Sequence, residues 1–103
     1  MHIISRTAIA EAQQRHPNAR GWLDQWWNVA SKARWESLHE VRIDYAGADQ
    51  VGSCVVFNAC GNHYRLICGV TYANQWTQGT LYVKHFLTHA EYDKNKWKTD
   101  CGR

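Results

Sequence analysis

The first half of the chain spaces its apolar residues as helices do, and the second half as strands do. Residues 7–15 are rich in Ala, Glu and Gln, which favour helix. Ser5 or Thr7 is the expected cap, and Pro17 the stop, because the residue before a proline avoids helical backbone angles. A second helix is expected from Asn18. In it Trp22, Trp26, Val29, Ala30 and Ala33 fall at i, i+4, i+7, i+8 and i+11, an amphipathic stripe widened by Leu23 and Trp27. Asp24, Gln25, Asn28, Lys32 and Arg34 lie opposite. The stripe is read as the face that packs on a sheet, with an exposed tryptophan stacked on RNA bases as the functional alternative. Residues 37–53 form a connection, with a short helical turn expected near 38–43.

Three strands follow, at 54–58, 63–72 and 80–87. Cys60-Gly61-Asn62 supplies turn chemistry, and 73–79 is a polar loop. Connections this short make antiparallel hairpins. If the first hairpin turns at Cys60-Gly61, alternation puts Val55, Phe57, Tyr64 and Leu66 on one apolar face. Val56, Asn58, His63 and Arg65 take the other. Arg65 in an otherwise apolar strand is the kind of local misfit found at functional sites, or else a solvated residue on an open sheet face. On the third strand Leu81, Val83, His85 and Leu87 make one set, and Tyr82, Lys84 and Phe86 the other. If the first set faces the core, Lys84 joins Arg65.

Thr88 and Glu91 then fit a capping box, with Leu87 and Tyr92 at the positions of a hydrophobic staple. A helix therefore starts where the third strand ends, with His89 as its first residue. His89, Tyr92 and Asp93 share one side of it, beside backbone N–H groups and a positive dipole end that suit a phosphate. RNA cleavage without a metal needs a base for the 2′-OH proton, an acid for the departing 5′-oxygen, and cations for the charge growing on phosphorus. His89, Tyr92, Arg65 and Lys84 are groups of those types. Thr88 and Glu91 are assigned to the cap.

Composition narrows the picture. At 103 residues the chain is read as one domain, 1–103, with no room for a second, cofactor-binding one. Its 45% hydrophobic content and single proline exclude a disordered chain. No apolar run approaches the ~18 residues of a membrane span. The first residues lack the basic and apolar regions of a signal peptide, so a cytoplasmic protein is expected. A net charge of +3 permits an anionic partner without demanding one. Cys54, Cys60, Cys68 and Cys101 include no Cys-x-x-Cys pair and are read as free, mostly buried thiols. A zinc site through Cys60 and His63 is the alternative; no metal or other cofactor is expected.

Three segments together resemble the HigB toxins of type II toxin–antitoxin systems: Val56-Phe57-Asn58, Gly61-Asn62-His63-Tyr64-Arg65-Leu66-Ile67, and Thr88-His89-Ala90-Glu91-Tyr92-Asp93-Lys94. Ile3-Ile4-Ser5-Arg6, His16-Pro17 and Ala33-Arg34-Trp35 fit as well, so the resemblance spans nearly the whole chain. It implies an α+β, RelE-like fold, with two N-terminal helices packed on a small antiparallel sheet and a short C-terminal helix. It also implies a ribosome-dependent, metal-independent endoribonuclease that cuts mRNA through the 2′-OH, neutralised by a HigA-like helix-turn-helix antitoxin. Arg65 matches a strand arginine that stabilises the phosphate. His89 and Tyr92 fall where catalytic groups lie; Asp93 and Lys84 are counted as catalytic with them from their place on the helix and the strand, and Asn62, His63 and Lys94 are expected to bind RNA. His63 is read as rim and His85 as buried against the core. Residues 95–103 are basic and read as frayed, available to RNA or antitoxin. A non-catalytic RNA- or ribosome-binding module of the same fold is the competing reading.

Overall fold

The computed structural model describes residues 1–102. The chain runs through β1 (His2–Ile4), α1 (Arg6–Arg15), a 3-10 turn (Pro17–Ala19), α2 (Arg20–Lys32), α3 (Leu38–Asp44), β2 (Asp49–Val51), β3 (Cys54–Ala59), β4 (Tyr64–Thr71), β5 (Thr80–Thr88), α4 (His89–Asp93) and a second 3-10 segment (Lys96–Cys101). The fold is α+β, as expected, but the sheet is mixed. Its strand order is β1-β5-β4-β3-β2, with β1 parallel to β5 and the other pairings antiparallel. Both added edge strands are only three residues long, too short for alternation to reveal.

Helices α1 and α2 cover one face. Leu23, Trp26 and Ala30 are buried there, with Trp22, Trp27 and Val29 half-buried at the flanks. Packing therefore takes the central tryptophan of the stripe. Trp26 meets Phe57 edge-on at 5.6 Å between ring centroids, and Tyr45 and Trp35 pack on the same phenyl ring at 5.3 and 6.0 Å. The helix starts differ from expectation. Pro17 opens a 3-10 turn, so α2 begins at Arg20, and Ser5 occupies the α1 cap position without a side-chain cap bond. Near 38–43 a seven-residue helix forms, capped by Ser37 accepting from the Glu40 N–H.

Register bears out the face assignment of the first hairpin. Phe57 pairs with Leu66 and Asn58 with Arg65, so Val55, Phe57, Leu66 and Tyr64 point into the main core. On β5 strict alternation fails. Cys68 pairs with Val83 and Ile67 with His85, leaving Lys84 as the extra residue of a β-bulge. Beyond it the faces exchange. Phe86 enters the main core, stacked on Tyr64 at 5.1 Å, while Leu87 joins a second cluster on the opposite face. His85 is correspondingly not against the main core.

That opposite face is not open. Cys54, Val56 and Ile67 are buried under Trp97 and Cys101, with Val51, Leu87 and Tyr92 around them. The Lys96–Cys101 segment, expected to fray, is helical and fixed by a Cys54–Cys101 disulfide. Two of the four cysteines are thus cross-linked rather than free, because strand and segment bring their side chains together across the sheet. Cys60 and Cys68 remain thiols. Burial pushes the Cys68 thiol far above its ordinary range. Arg103 lies outside the described residues, and no helix among the described residues is long and apolar enough to cross a membrane.

Candidate active site

The site forms where three pieces of chain end together. The β3–β4 loop makes a left-handed turn, with φ of 53°, 63° and 74° at Cys60, Gly61 and Asn62. Glycine and asparagine tolerate that conformation best. The turn brings the Asn62 carbonyl back to Arg65, whose guanidinium donates to it at 2.9 Å and to the Tyr64 carbonyl at 3.0 Å. These two bonds use one guanidinium nitrogen. The other guanidinium N–H groups make no hydrogen bond among the described residues.

Pairing of Arg65 with Leu87, and of Tyr64 with Thr88, delivers α4 to this place. The capping box is complete: the Thr88 N–H donates to Glu91 Oε1 at 3.0 Å, and the Glu91 N–H to Thr88 Oγ1 at 3.2 Å. The Thr88 backbone bond holds the Glu91 carboxyl below its ordinary pKa. Leu87 and Tyr92, the staple pair, both pack on the second cluster. The His89 N–H donates to the His63 carbonyl at 3.1 Å, tying the start of α4 to the loop.

On α4, His89 Nδ1 lies 3.0 Å from Asp93 Oδ2, and both side chains are more than half exposed, at 54% and 59%. In the neutral tautomer whose Nδ1–H donates to Asp93, Nε2 carries the lone pair. The Arg65 guanidinium carbon sits 5.2 Å from the Tyr92 ring centroid. Burial raises the Tyr92 pKa, an effect that Arg65 opposes and that Asp49 and Asp93 reinforce. Tyr92 is therefore a protonated phenol at neutral pH, able to donate but not to act as a base.

Arg65, His89, Tyr92 and Asp93 are thus brought together, with Asn62 and His63 in the adjoining loop. Lys94 follows directly on α4 and lines a cleft of about 320 Å³ with His85, Leu87, Glu91, Lys96 and Trp97. Lys84 stands apart. It lies three residues before Leu87, roughly 10 Å along the strand at ~3.3 Å per residue. Its amine donates to the Asp100 carbonyl at 2.5 Å. His85 pairs beside it, Nε2 being 2.6 Å from Asp100 Oδ2. No group of three or more His, Cys, Asp or Glu side chains converges as a metal site among the described residues. Sequence reading missed Trp97 and Asp100. Neither belongs to a periodic run, and their roles depend on the chain folding back after α4.

A mixed sheet with helices on one face, and a strand arginine beside a histidine- and tyrosine-bearing last helix, defines a small RelE-like domain. The model for HigB_toxin, described as the RelE-like toxic component of a toxin–antitoxin system, matches residues 19–95. This chain belongs to that family. It is 29% identical over 97 residues to the mRNA interferase HigB of Escherichia coli O6:H1, covering 91% of this chain and 90% of that protein. The mRNA interferase toxin HigB of E. coli K12 and the mRNA interferase HigB of Shigella flexneri are each 25% identical over 96 residues, covering 90% of this chain and 88% of theirs. The match to the family model ends at Asn95, before the Lys96–Cys101 segment.

Proposed function

We propose that this toxin is an endoribonuclease that cuts mRNA on the ribosome without a metal, by attack of a 2′-OH on the adjacent phosphate. His89 Nε2, its ring oriented by Asp93, takes the 2′-OH proton. The 2′-oxygen bonds to phosphorus while the bond from phosphorus to the 5′-oxygen breaks. The free N–H groups of Arg65 stabilise charge on the phosphate, and Tyr92 gives its proton to the departing 5′-oxygen. Asn62, His63 and Lys94 contact the flanking RNA. Lys84, away from the reacting bond, contributes positive charge along the path. A HigA-like helix-turn-helix antitoxin neutralises the protein in the cytoplasm.

One observation carries this reading: Arg65, Tyr92 and the His89–Asp93 pair converge from β4 and α4 within a chain of a toxin family. The names of the relatives, mRNA interferases, support it. The test is expression without antitoxin, with primer extension of a translated message. The parent should arrest growth and leave new 5′ ends. Arg65→Ala and His89→Ala should each relieve the arrest while remaining folded, and Lys84→Ala should relieve it only in part. Arrest by the parent without any cut message would instead favour a non-catalytic ribosome-binding module.

A further inference from the structure

Helix α4 has five residues, none of them buried. A helix that short does not hold itself together in water. The capping box fixes its first turn, but Tyr92 lies at the far end and needs another support. Asn95, at φ 62°, turns the chain back, and Lys96–Cys101 then crosses the second face of the sheet as a strap. Cys101 is bonded to Cys54 of β3, and its carbonyl accepts the Ser53 N–H at 2.9 Å. Asp100 reaches β5, its carboxylate on His85 and its carbonyl on Lys84. Trp97, only 2% exposed, stacks on the Tyr92 ring with centroids 4.9 Å apart and planes 13° apart. Its indole N–H also donates to the Tyr92 carbonyl at 2.9 Å. Both the ring and the backbone of Tyr92 are therefore set by the strap, and the ring is presented to Arg65 in that setting.

We propose that the Lys96–Cys101 strap is the positioning element of this site, that Trp97 is its positioning residue for Tyr92, and that the Cys54–Cys101 bond makes the positioning redox-sensitive. The proposal rests on the reading of Arg65, His89 and Tyr92 as an RNA-cleaving site. Opening the bond requires a dithiol reductant. A thiolate attacks one sulfur, the Sγ–Sγ bond breaks, and a second exchange releases two protein thiols and the oxidised dithiol. Disulfides in reducing compartments are uncommon, and those present are usually transient or redox-sensing. Once the bond is open, the strap is held by the Trp97 contacts with Tyr92 and by its hydrogen bonds to Ser53, Lys84 and His85, of which those of Lys84 and His85 are exposed to water.

Four forms test this at a temperature where circular dichroism shows each to be folded: the oxidised protein, the protein reduced with dithiothreitol, Cys101→Ser, and Trp97→Phe with its disulfide intact. Carbon-13 NMR of labelled tyrosine, assigned with Tyr92→Phe, follows the Tyr92 phenol, and steady-state assays follow RNA cleavage. The charges acting on that phenol, Arg65, Asp49 and Asp93, are the same in all four. In the oxidised protein Tyr92 should titrate above the ordinary tyrosine range. Reduction and Cys101→Ser should return it toward that range and lower kcat by about ten- to a hundredfold, with KM little changed. Trp97→Phe, which keeps a stacking ring but loses the indole donor, should fall between. Identical Tyr92 titration in the oxidised and reduced forms would overturn the proposal. A titration that moves in a protein that cuts no RNA would leave the strap standing and refute the nuclease reading. Cleavage with neither readout responding to reduction would do the reverse.

Discussion

Tyr92 gathers several influences onto one phenol. Trp97 covers it, Arg65 lies over it, and Asp49 and Asp93 add negative charge nearby. Burial dominates and raises its pKa, so the phenol keeps its proton at alkaline pH. If Tyr92 is the general acid, the alkaline limb of the rate profile should lie above the ~10 of free tyrosine. Tyr92→Phe should abolish that limb and lower kcat by about 10²- to 10⁴-fold, the usual range for lost acid–base catalysis. A limb unchanged in Tyr92→Phe would assign the acid to another group. At this scale the sequence was informative where one residue broke a pattern. Arg65 stood out in an apolar strand, and Thr88 and Glu91 matched a known cap. Trp97 gave no such signal, because its partner Tyr92 meets it through a reversal at Asn95 that no local periodicity encodes.

Among the elements, the junction of β5 and α4 decides the geometry. Thr88 is the last strand residue and also the helix cap, so pairing and capping together fix where His89 points. Removing the cap hydroxyl with Thr88→Ala should destabilise the protein by about 0.5–2 kcal/mol. The cap also has a pH dependence of definite sign. Because the folded Glu91 pKa is lowered, its contribution is present above the ordinary Glu value of ~4.3 and is lost as pH falls through the lowered value. Urea denaturation of the parent and of Glu91→Gln should therefore differ at pH 7 and converge in acid, while Thr88→Ala, which keeps the backbone N–H that holds the carboxylate, should differ from the parent at both; a constant difference for Glu91→Gln would separate the cap from the Glu91 charge. The three central strands were legible as runs of apolar residues with turn signals between them, and α1 from its helix formers and the stop at Pro17. The bulge at Lys84 was not. Alternation assumes an unbroken ladder, and one inserted residue moved His85, Phe86 and Leu87 to the faces opposite those expected.

The whole molecule has two apolar clusters back to back across one sheet. The larger, around Phe57 and Trp26, lies beneath the helices and was foreseen from the tryptophan stripe. The smaller is closed by the Cys54–Cys101 bond, which joins residues 47 apart in sequence. Four cysteines without a paired motif gave no indication of that link. Closing a loop of this size restricts the unfolded chain, so a double Cys54→Ala, Cys101→Ala variant should lose about 2–4 kcal/mol in equilibrium denaturation. An unchanged midpoint would mean that the bond contributes nothing to stability.

The central claim is that Arg65, His89 and Tyr92 cut RNA through its own 2′-OH, and the ends of the products report on it most directly. Purified toxin acting on a defined message in translating ribosomes should leave a 2′,3′-cyclic phosphate on the upstream fragment and a 5′-hydroxyl on the downstream one. Arg65→Ala should leave the message intact. Fragments ending in a 3′-hydroxyl and a 5′-phosphate would mean that water, not the 2′-oxygen, attacked phosphorus, and would contradict the account.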